Sequence, residues 1–200
     1  MRRQRAGRVL AALLAWPAGG CGGAGTTPPA DAPFPDRVGA FERVEPPVHG
    51  RASITAGYQF AAAAGSVMAT VQRRPAEGGT SLFPALDIGR NEAETIAEAA
   101  LVRSIAQIRR FYPEATTGPV RPVLLVRGGV LRTGRGITVD YREIVEDGPR
   151  TMQMEVSVLC CTSRREVVEY RFRHLAGLGL DREVSDFLRG FPWAAEEPGP

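Results

Sequence analysis

The amino-acid sequence predicts an α+β fold in which a mostly antiparallel sheet of about six or seven strands is packed by two helices. Three observations lead to this prediction. Segments with the two-residue alternation of strands lie on both sides of a segment with helical periodicity at residues 91–112. Short turns join consecutive strands, which favours antiparallel pairing because a parallel connection needs a long crossover. A second helical pattern begins at Asp181.

Three strands are predicted before the first helix, at residues 38–44, 52–60 and 66–73. The third strand shows the alternation most clearly, because Val67, Ala69 and Val71 share one of its faces. A loop containing Gly78-Gly79 and Pro84 then interrupts the strand pattern. The first half of the chain therefore contributes three strands to the sheet.

The first helix is predicted over residues 91–112. Its large apolar side chains recur every three or four positions and share one face, which comprises Ala97, Leu101, Ile105, Ile108 and Tyr112. Asn91 followed by Glu94 resembles a capping box, and Pro113 supplies a stop. We therefore expect Ile105 and Ile108 to be buried against the sheet and Arg109 to be exposed.

Four strands and a helix are predicted in the second half, with strands at residues 121–132, 136–145, 151–162 and 166–174. Thr133-Gly134-Arg135 is interpreted as the hairpin turn between the first two. The third is expected to bury Met152, Met154, Val156, Val158 and Cys160. The fourth is expected to bury Val168, Tyr170 and Phe172. The last helix is expected to end near Gly190 and to bury Val184, Phe187 and Leu188.

The first twenty residues have the features of an export signal. Four arginines precede a short apolar run at residues 9–16, and small residues follow it before Cys21. The apolar run is shorter than the roughly 20 residues that a membrane-spanning helix needs. We therefore expect residues 1–20 to be a signal peptide and Cys21 to be the first mature residue. Cleavage by the ordinary signal peptidase, with Cys21 present by chance, is the alternative.

The composition after Cys21 predicts three further segments. Residues 21–36 hold small residues and prolines with little apolar bulk, which indicates a flexible tether. Residues 37–193 form the single α+β domain, and residues 194–200 form a disordered tail.

The net charge of +3 belongs to the precursor. Removing the four arginines of residues 1–20 leaves 21 basic residues against 22 acidic ones, which gives no basis for nucleic-acid binding. The chain contains no lysine, so mechanisms that require a lysine Schiff base or a lysine phosphate clamp are excluded.

Few residues suggest chemistry. Cys160-Cys161 falls in a predicted strand, where adjacent side chains point to opposite faces, so Cys160 is expected to be buried and Cys161 exposed.

The two histidines of the chain, His49 and His174, are both interpreted as structural. The acidic residues at the start of the first helix and in residues 140–147 are interpreted as solvated. No GxSxG or HExxH motif is present, and no catalytic, cofactor-binding or metal-ligating residue is assigned.

Two resemblances extend this interpretation. Ala18-Gly19-Gly20-Cys21 resembles the lipobox of bacterial lipoproteins, although Ala18 stands where that group usually has leucine. This resemblance implies lipidation, by palmitate among other chains, at Cys21. The order of elements over residues 38–193, with Tyr58 and the segment Tyr170-Arg171-Phe172, resembles the PsbP-like α/β/α sandwich. That resemblance implies a fold and a binding or assembly role, and it assigns no functional residue.

These observations favour a non-enzymatic envelope lipoprotein with a binding or assembly role. The expected partners are the membrane, through lipid on Cys21, and an envelope protein, with no cofactor and no nucleic acid. Gly22 after Cys21 favours the periplasmic side of an outer membrane, where the organism has one. The alternative is an exported hydrolase-type enzyme whose site forms only in three dimensions, with His174, Cys161 and a carboxylate as its candidate residues.

Overall fold

A computed structural model describes residues 34–62, 65–76, 90–127, 130–145, 148–161 and 166–192. Five strands precede the first helix: β1 (Arg37–Val38), β2 (Phe41–Arg43), β3 (Val48–His49), β4 (Ile54–Ala62) and β5 (Gly65–Pro75). Helix α1 (Arg90–Phe111) is followed by β6 (Thr116–Thr117), β7 (Arg121–Arg127), β8 (Val130–Val145), β9 (Gly148–Cys160) and β10 (Glu166–Leu175). Helix α2 (Asp181–Gly190) comes last.

The strands form one antiparallel sheet in the order β1-β2-β4-β5-β10-β9-β8-β6, with β3 beside β4 and β7 beside β8. The prediction of an α+β fold with a mostly antiparallel sheet and two helices is confirmed. The predicted number of strands was wrong, because the described sheet has ten. The strands that were missed include β3 and β6, which are two residues long and too short to show any alternation.

Each helix covers one face of the sheet. The α1 face carries Met154, Val156 and Val158 of β9, which pack with Ala97 and Leu101 of the helix. The α2 face carries an aromatic core that surrounds Phe187 and comprises Phe41, Tyr58, Tyr170, Phe172 and Phe191. The helices and the sheet therefore form three layers, and the predicted faces of β9, β10 and α2 agree with the structure.

Among the described residues, a helix covers only part of the α1 face. Helix α1 contacts β8 and β9. On the same face of β4 and β5, Gln59 is exposed, and Thr55, Thr70 and Gln72 are half-buried. One half of the sheet therefore has an apolar face under a helix, and the other half has a polar, partly exposed face beside that helix.

The predicted turn at Thr133-Gly134-Arg135 was wrong, because β8 runs straight through these residues. A Cβ atom on Gly134 would lie 2.0 Å from the carbonyl oxygen of Val158 in β9. Glycine is therefore required here for the close approach of two backbones, and it does not mark a turn. Strands β7 and β8 are instead connected through Gly128-Gly129, which lie outside the described residues.

Helix α1 differs in detail from its prediction. It begins at Arg90, so Asn91 lies inside the helix and does not precede it as a cap. Glu94 contacts Arg135 of β8, with 2.9 Å between the Glu94 Oε2 and Arg135 Nη2 atoms. Ile108 is buried and Arg109 is exposed as expected, whereas Ile105 is only half-buried. The acidic side chain predicted to cap the helix therefore helps to dock it onto the sheet.

The first described residue, Phe34, is buried against Phe191, and their ring centroids lie 5.7 Å apart. Phe34 belongs to the segment predicted as a tether, so contacts with the core begin before Arg37. Within the described part of the chain, no helix is long and apolar enough to cross a membrane.

Candidate functional site

A chain of three polar residues crosses the margin of the α2 face. Arg121 of β7 donates from Nη2 to the Oε2 atom of Glu155 at 3.0 Å. The other carboxylate oxygen of Glu155, Oε1, lies 3.7 Å from Nε2 of His174. Strands β9 and β10 pair Glu155 with Phe172, so His174 lies diagonally across from the carboxylate. The chain runs from a fully buried imidazole to a guanidinium that is half-exposed.

The proton positions follow from these contacts. Nδ1 of His174 lies 2.8 Å from the carbonyl oxygen of Leu175, so it carries the proton that donates there. The remaining nitrogen, Nε2, faces a carboxylate, and a bare lone pair in that position would be repelled. Protonating Nε2 converts the repulsion into an ion pair. His174 and Glu155 therefore hold opposite charges when the imidazole is protonated on both nitrogens.

The pKa values agree with this geometry. Burial lowers the pKa of His174, but the polar contact with Glu155, the bond to Leu175 and the charges of Glu155 and Asp140 outweigh burial and raise it above 6.5. The contact with His174 is the largest influence on the pKa of Glu155, which lies below 4.5 because that contact and Arg121 outweigh burial. The pair is thus stabilised in its charged form.

The His174 pair should make stability depend on pH. A pKa that is higher in the folded than in the unfolded protein stabilises the fold fully below the unfolded value near 6.5. That stabilisation is lost as the pH rises through the folded value, at about 1.4 kcal/mol per unit of difference. We expect urea unfolding between pH 5.5 and 8.5 to show this loss in the wild type and a flatter profile in His174→Gln. Equal pH slopes in the two proteins would contradict the assignment.

The structure does not assemble the hydrolase-type candidates. Cys161 lies six residues beyond Glu155, just past the end of β9. At about 3.3 Å per residue, the two are separated by about 20 Å along the strand. His174 therefore meets a carboxylate but not the proposed cysteine nucleophile. Among the described residues, no group of three or more His, Cys, Asp or Glu side chains is arranged to hold a metal ion.

The two cysteines differ from their prediction. Cys160 is buried as expected, but Cys161 is buried as well. The prediction assumed a strand continuing to residue 162, whereas β9 ends at Cys160. Beyond that residue the alternation of faces no longer applies, and the structure joins the two sulfur atoms as a disulfide.

A second polar cluster lies under α1. Glu169 of β10 is buried, and its Oε1 atom accepts hydrogen bonds from Ser104 Oγ at 2.7 Å and from Arg171 Nε at 2.5 Å. Arg171 also donates from Nη2 to Ser104 Oγ at 3.0 Å and to Gln107 Oε1 at 2.9 Å. These bonds connect α1 to β10, which also contributes Val167 to the apolar core under the helix. The cluster therefore fixes how the helix docks.

A third polar pair lies on the α2 face near the ends of β5 and β10. Arg73 and Glu166 are both buried, with 2.5 Å between Arg73 Nη2 and Glu166 Oε2.

The sequence interpretation missed all three buried glutamates of these clusters, which are Glu155, Glu169 and Glu166. A signal for them was present in the sequence, because each is a charged residue within an otherwise apolar strand. Such a residue indicates a strand face that another element covers.

The remaining candidate residues have separate locations. Cys21 lies outside the described residues, as do Glu146 and Asp147. His49 lies in β3 at the sheet edge and is exposed. Asp140 and Glu92 are exposed as expected. Glu94 and Glu143 are half-buried and pair with Arg135 and Arg173, so the interpretation as solvated was wrong for these two.

A cleft of about 300 Å³ lies at one end of the β8–β9 hairpin. It is lined by Arg142, Pro149, Arg150 and Thr151. These side chains give the cleft a basic lining and no pair of groups suited to acid–base catalysis.

Comparison with known proteins gives little further information. No protein-family model and no curated protein matches the chain. Among solved structures, the chain is similar to PA94 from Pseudomonas aeruginosa, a protein of unknown function described as a candidate regulator. The sequence identity is 11%, the match covers 61% of this chain and 69% of that chain, and the TM-score is 0.37.

Proposed function

We propose that this protein is an exported lipoprotein, held in the bacterial envelope by lipid on Cys21, whose α+β domain binds a partner without transforming it. The observation that carries the proposal is the start of the chain. A basic segment, a short apolar run and small residues lead directly to Cys21. Several acyl chains on one cysteine satisfy the requirement that stable anchoring needs more than one chain.

The distribution of polar groups supports a binding role. Glu169 and Arg171 are bonded to α1, and Arg73 pairs with Glu166, so these buried charges hold the fold together. His174 meets a carboxylate without the candidate cysteine. The partly exposed half of the α1 face offers a broad polar surface beside a helix, which suits an envelope protein partner better than a small substrate. One helix on each face of the sheet also fits the PsbP-like resemblance.

Lipidation at Cys21 is tested by its removal. In cells fed labelled palmitate, we expect the wild type to incorporate label and to partition into detergent with the membranes. Cys21→Ser should lose the label and move to the soluble fraction, because a single apolar run of this length does not anchor a protein stably. Gly22→Ala is the matched control, since it changes the neighbouring residue and keeps the acylated sulfur. Membrane retention that is unchanged in Cys21→Ser would refute the anchor.

A further inference from the structure

Strands β6 and β7 lie at one edge of the sheet. Both pair with β8 on their inner side, and among the described residues no strand pairs with them on the outer side. The outer edge of a strand presents N–H and C=O groups in a fixed alternation. Another strand can bond to such a row, because it presents the same groups at the same spacing.

The outward backbone groups of β7 belong to every second residue. The N–H of Gly118, just after β6, donates to the carbonyl oxygen of Thr138 at 2.9 Å, so the backbone of Thr138 faces the β6–β7 side of β8. An antiparallel strand faces its two neighbours alternately, so Gly134 faces the same side and bonds to its partner Val123. The residues that alternate with Val123 therefore point their backbone groups away from the sheet, and they are Pro122, Leu124 and Val126.

The same stretch of β7 carries exposed aliphatic side chains. Leu124 is 57% exposed and Val126 68%, and Leu131, the partner of Val126 in β8, is 49% exposed. Helix α2 contacts β7 on the other face of the sheet, where Leu125 is buried in the aromatic core. Single exposed leucines are ordinary, but three adjacent aliphatic side chains beside an unpaired strand edge mark a contact surface.

Two copies of this edge are complementary to each other. In an antiparallel pair centred on Leu125, Leu124 of each copy lies opposite Val126 of the other. Each opposed pair exchanges N–H and C=O groups, so every outward group of Leu124 and Val126 is bonded. Opposed side chains share one face of a sheet, so Leu124, Val126 and Leu131 of both copies form one apolar strip.

The charges near this edge do not oppose the pairing. Residues 122–126 are uncharged, and Arg121 before them pairs with Glu155 of the same copy, with 3.0 Å between Arg121 Nη2 and Glu155 Oε2. A two-fold pairing also uses the β7 edges of both copies at once. The assembly is therefore closed at two copies and exposes no further β7 edge.

From these observations we propose that β7 is a dimerisation edge, at which a second copy of this chain adds its own β7 to form one continuous antiparallel sheet. So short an edge buries less than about 1,200 Å² in total, so the dimer is weak and dissociates on dilution. Strands β4 and β5 lie in the other half of the sheet order, so the polar half of the α1 face stays open to a different partner. Dimerisation through β7 does not require lipid on Cys21.

The first test removes an outward N–H group. The full chain is purified from the cell fraction that holds it, and sedimentation velocity is measured from about 5 to 200 μM, the range in which a weak dimer dissociates. Leu124→Pro deletes the N–H and places a proline ring against the second copy. Ile144→Pro is the matched control. Ile144 is 88% exposed, its backbone faces the same side of β8 as that of Thr138, and it lies beyond the last residue paired with β6.

We expect the wild type and Ile144→Pro to form a dimer that dissociates on dilution. Leu124→Pro should weaken this dimer by about tenfold or more, because half of the hydrogen bonds between the copies are lost. A wild type that remains monomeric at about 200 μM would overturn the proposal. So would a dimer that the two proline variants weaken equally or not at all.

Cross-linking tests the register independently and does not require Leu124→Pro to fold. Proteins carrying Leu124→Cys and Val126→Cys are oxidised separately and as an equal mixture. Directly opposed Cβ atoms lie about 4.5–5.5 Å apart and diagonal ones about 7–8 Å, so the mixture should form disulfide dimers several-fold faster than either protein alone. The buried Cys160 and Cys161 should not take part, and the wild type gives the background. Cross-linking that is no faster in the mixture than in Ile144→Cys would contradict the pairing.

Discussion

Gly134→Ala is expected to destabilise the protein by about 3 kcal/mol or more, a large effect for the addition of one methyl group. The new Cβ atom would lie 2.0 Å from the carbonyl oxygen of Val158 and 3.0 Å from the Cα atom of Leu159. Both are backbone atoms of β9, so the clash cannot be relieved by rotating a side chain. Relief requires β8 and β9 to separate around Gly134, which weakens the hydrogen bonds between these two strands.

The measurement is the free energy of unfolding in urea, with Gly179→Ala as the matched control. A Cβ atom on Gly179 would meet nothing within 4 Å, so the same substitution should change stability by less than about 0.5 kcal/mol. Equal small losses in both variants would show that β8 and β9 do not approach as closely as the register implies.

Gly134 also shows where inference from sequence fails. Glycine serves tight turns and close backbone contacts alike, and the neighbouring Thr133 and Arg135 do not distinguish between the two. The choice between the two depends on the distance from Gly134 to Val158, and these residues are far apart in sequence. Local composition cannot supply that distance.

Patterns with several repeats predicted structure well. The alternation in β5, β9 and β10 and the apolar stripe of α2 reflect burial along a whole element, so a single exception does not hide them. Strands of two residues, such as β3 and β6, exist because a neighbouring strand offers hydrogen bonds, and their own residues carry no comparable pattern.

The polar clusters were less predictable for the same reason. His174 was expected to be a structural residue on the face of Tyr170 and Phe172, and it lies on that face, buried. Its partner Glu155 lies in another strand. The alternation of residues in β9 predicts that the Glu155 side chain points away from the core. That position is buried because the α2 face is covered as well, a fact that depends on the packing of distant segments. The prediction assumed that one face of β9 is buried and the other is exposed. Because both faces are buried, the alternation of residues along β9 does not identify which side chains are solvent-exposed.

Phe187→Ala is expected to cost about 3–5 kcal/mol, the usual range for removing a buried phenylalanine. Phe187 is fully buried on α2, and its ring centroid lies 4.9 Å from that of Phe41, 5.2 Å from Tyr58 and 5.3 Å from Phe172. These rings come from β2, β4 and β10. Phe187 therefore connects the helix to strands from both halves of the chain, and its loss leaves a cavity that no single element can fill.

The matched control for Phe187→Ala is Phe111→Ala at the end of α1, where the ring is 43% exposed. Both variants lose the same atoms. The difference between their free energies of unfolding therefore measures the effect of burying the ring. We expect Phe111→Ala to cost less than about 1 kcal/mol, because a half-exposed ring leaves no closed cavity when it is removed. Thermal unfolding followed by circular dichroism would rank the two variants. If Phe187→Ala cost no more than Phe111→Ala, α2 would not be the element that closes the α2 face, and the covering of that face would have to come from elsewhere in the chain.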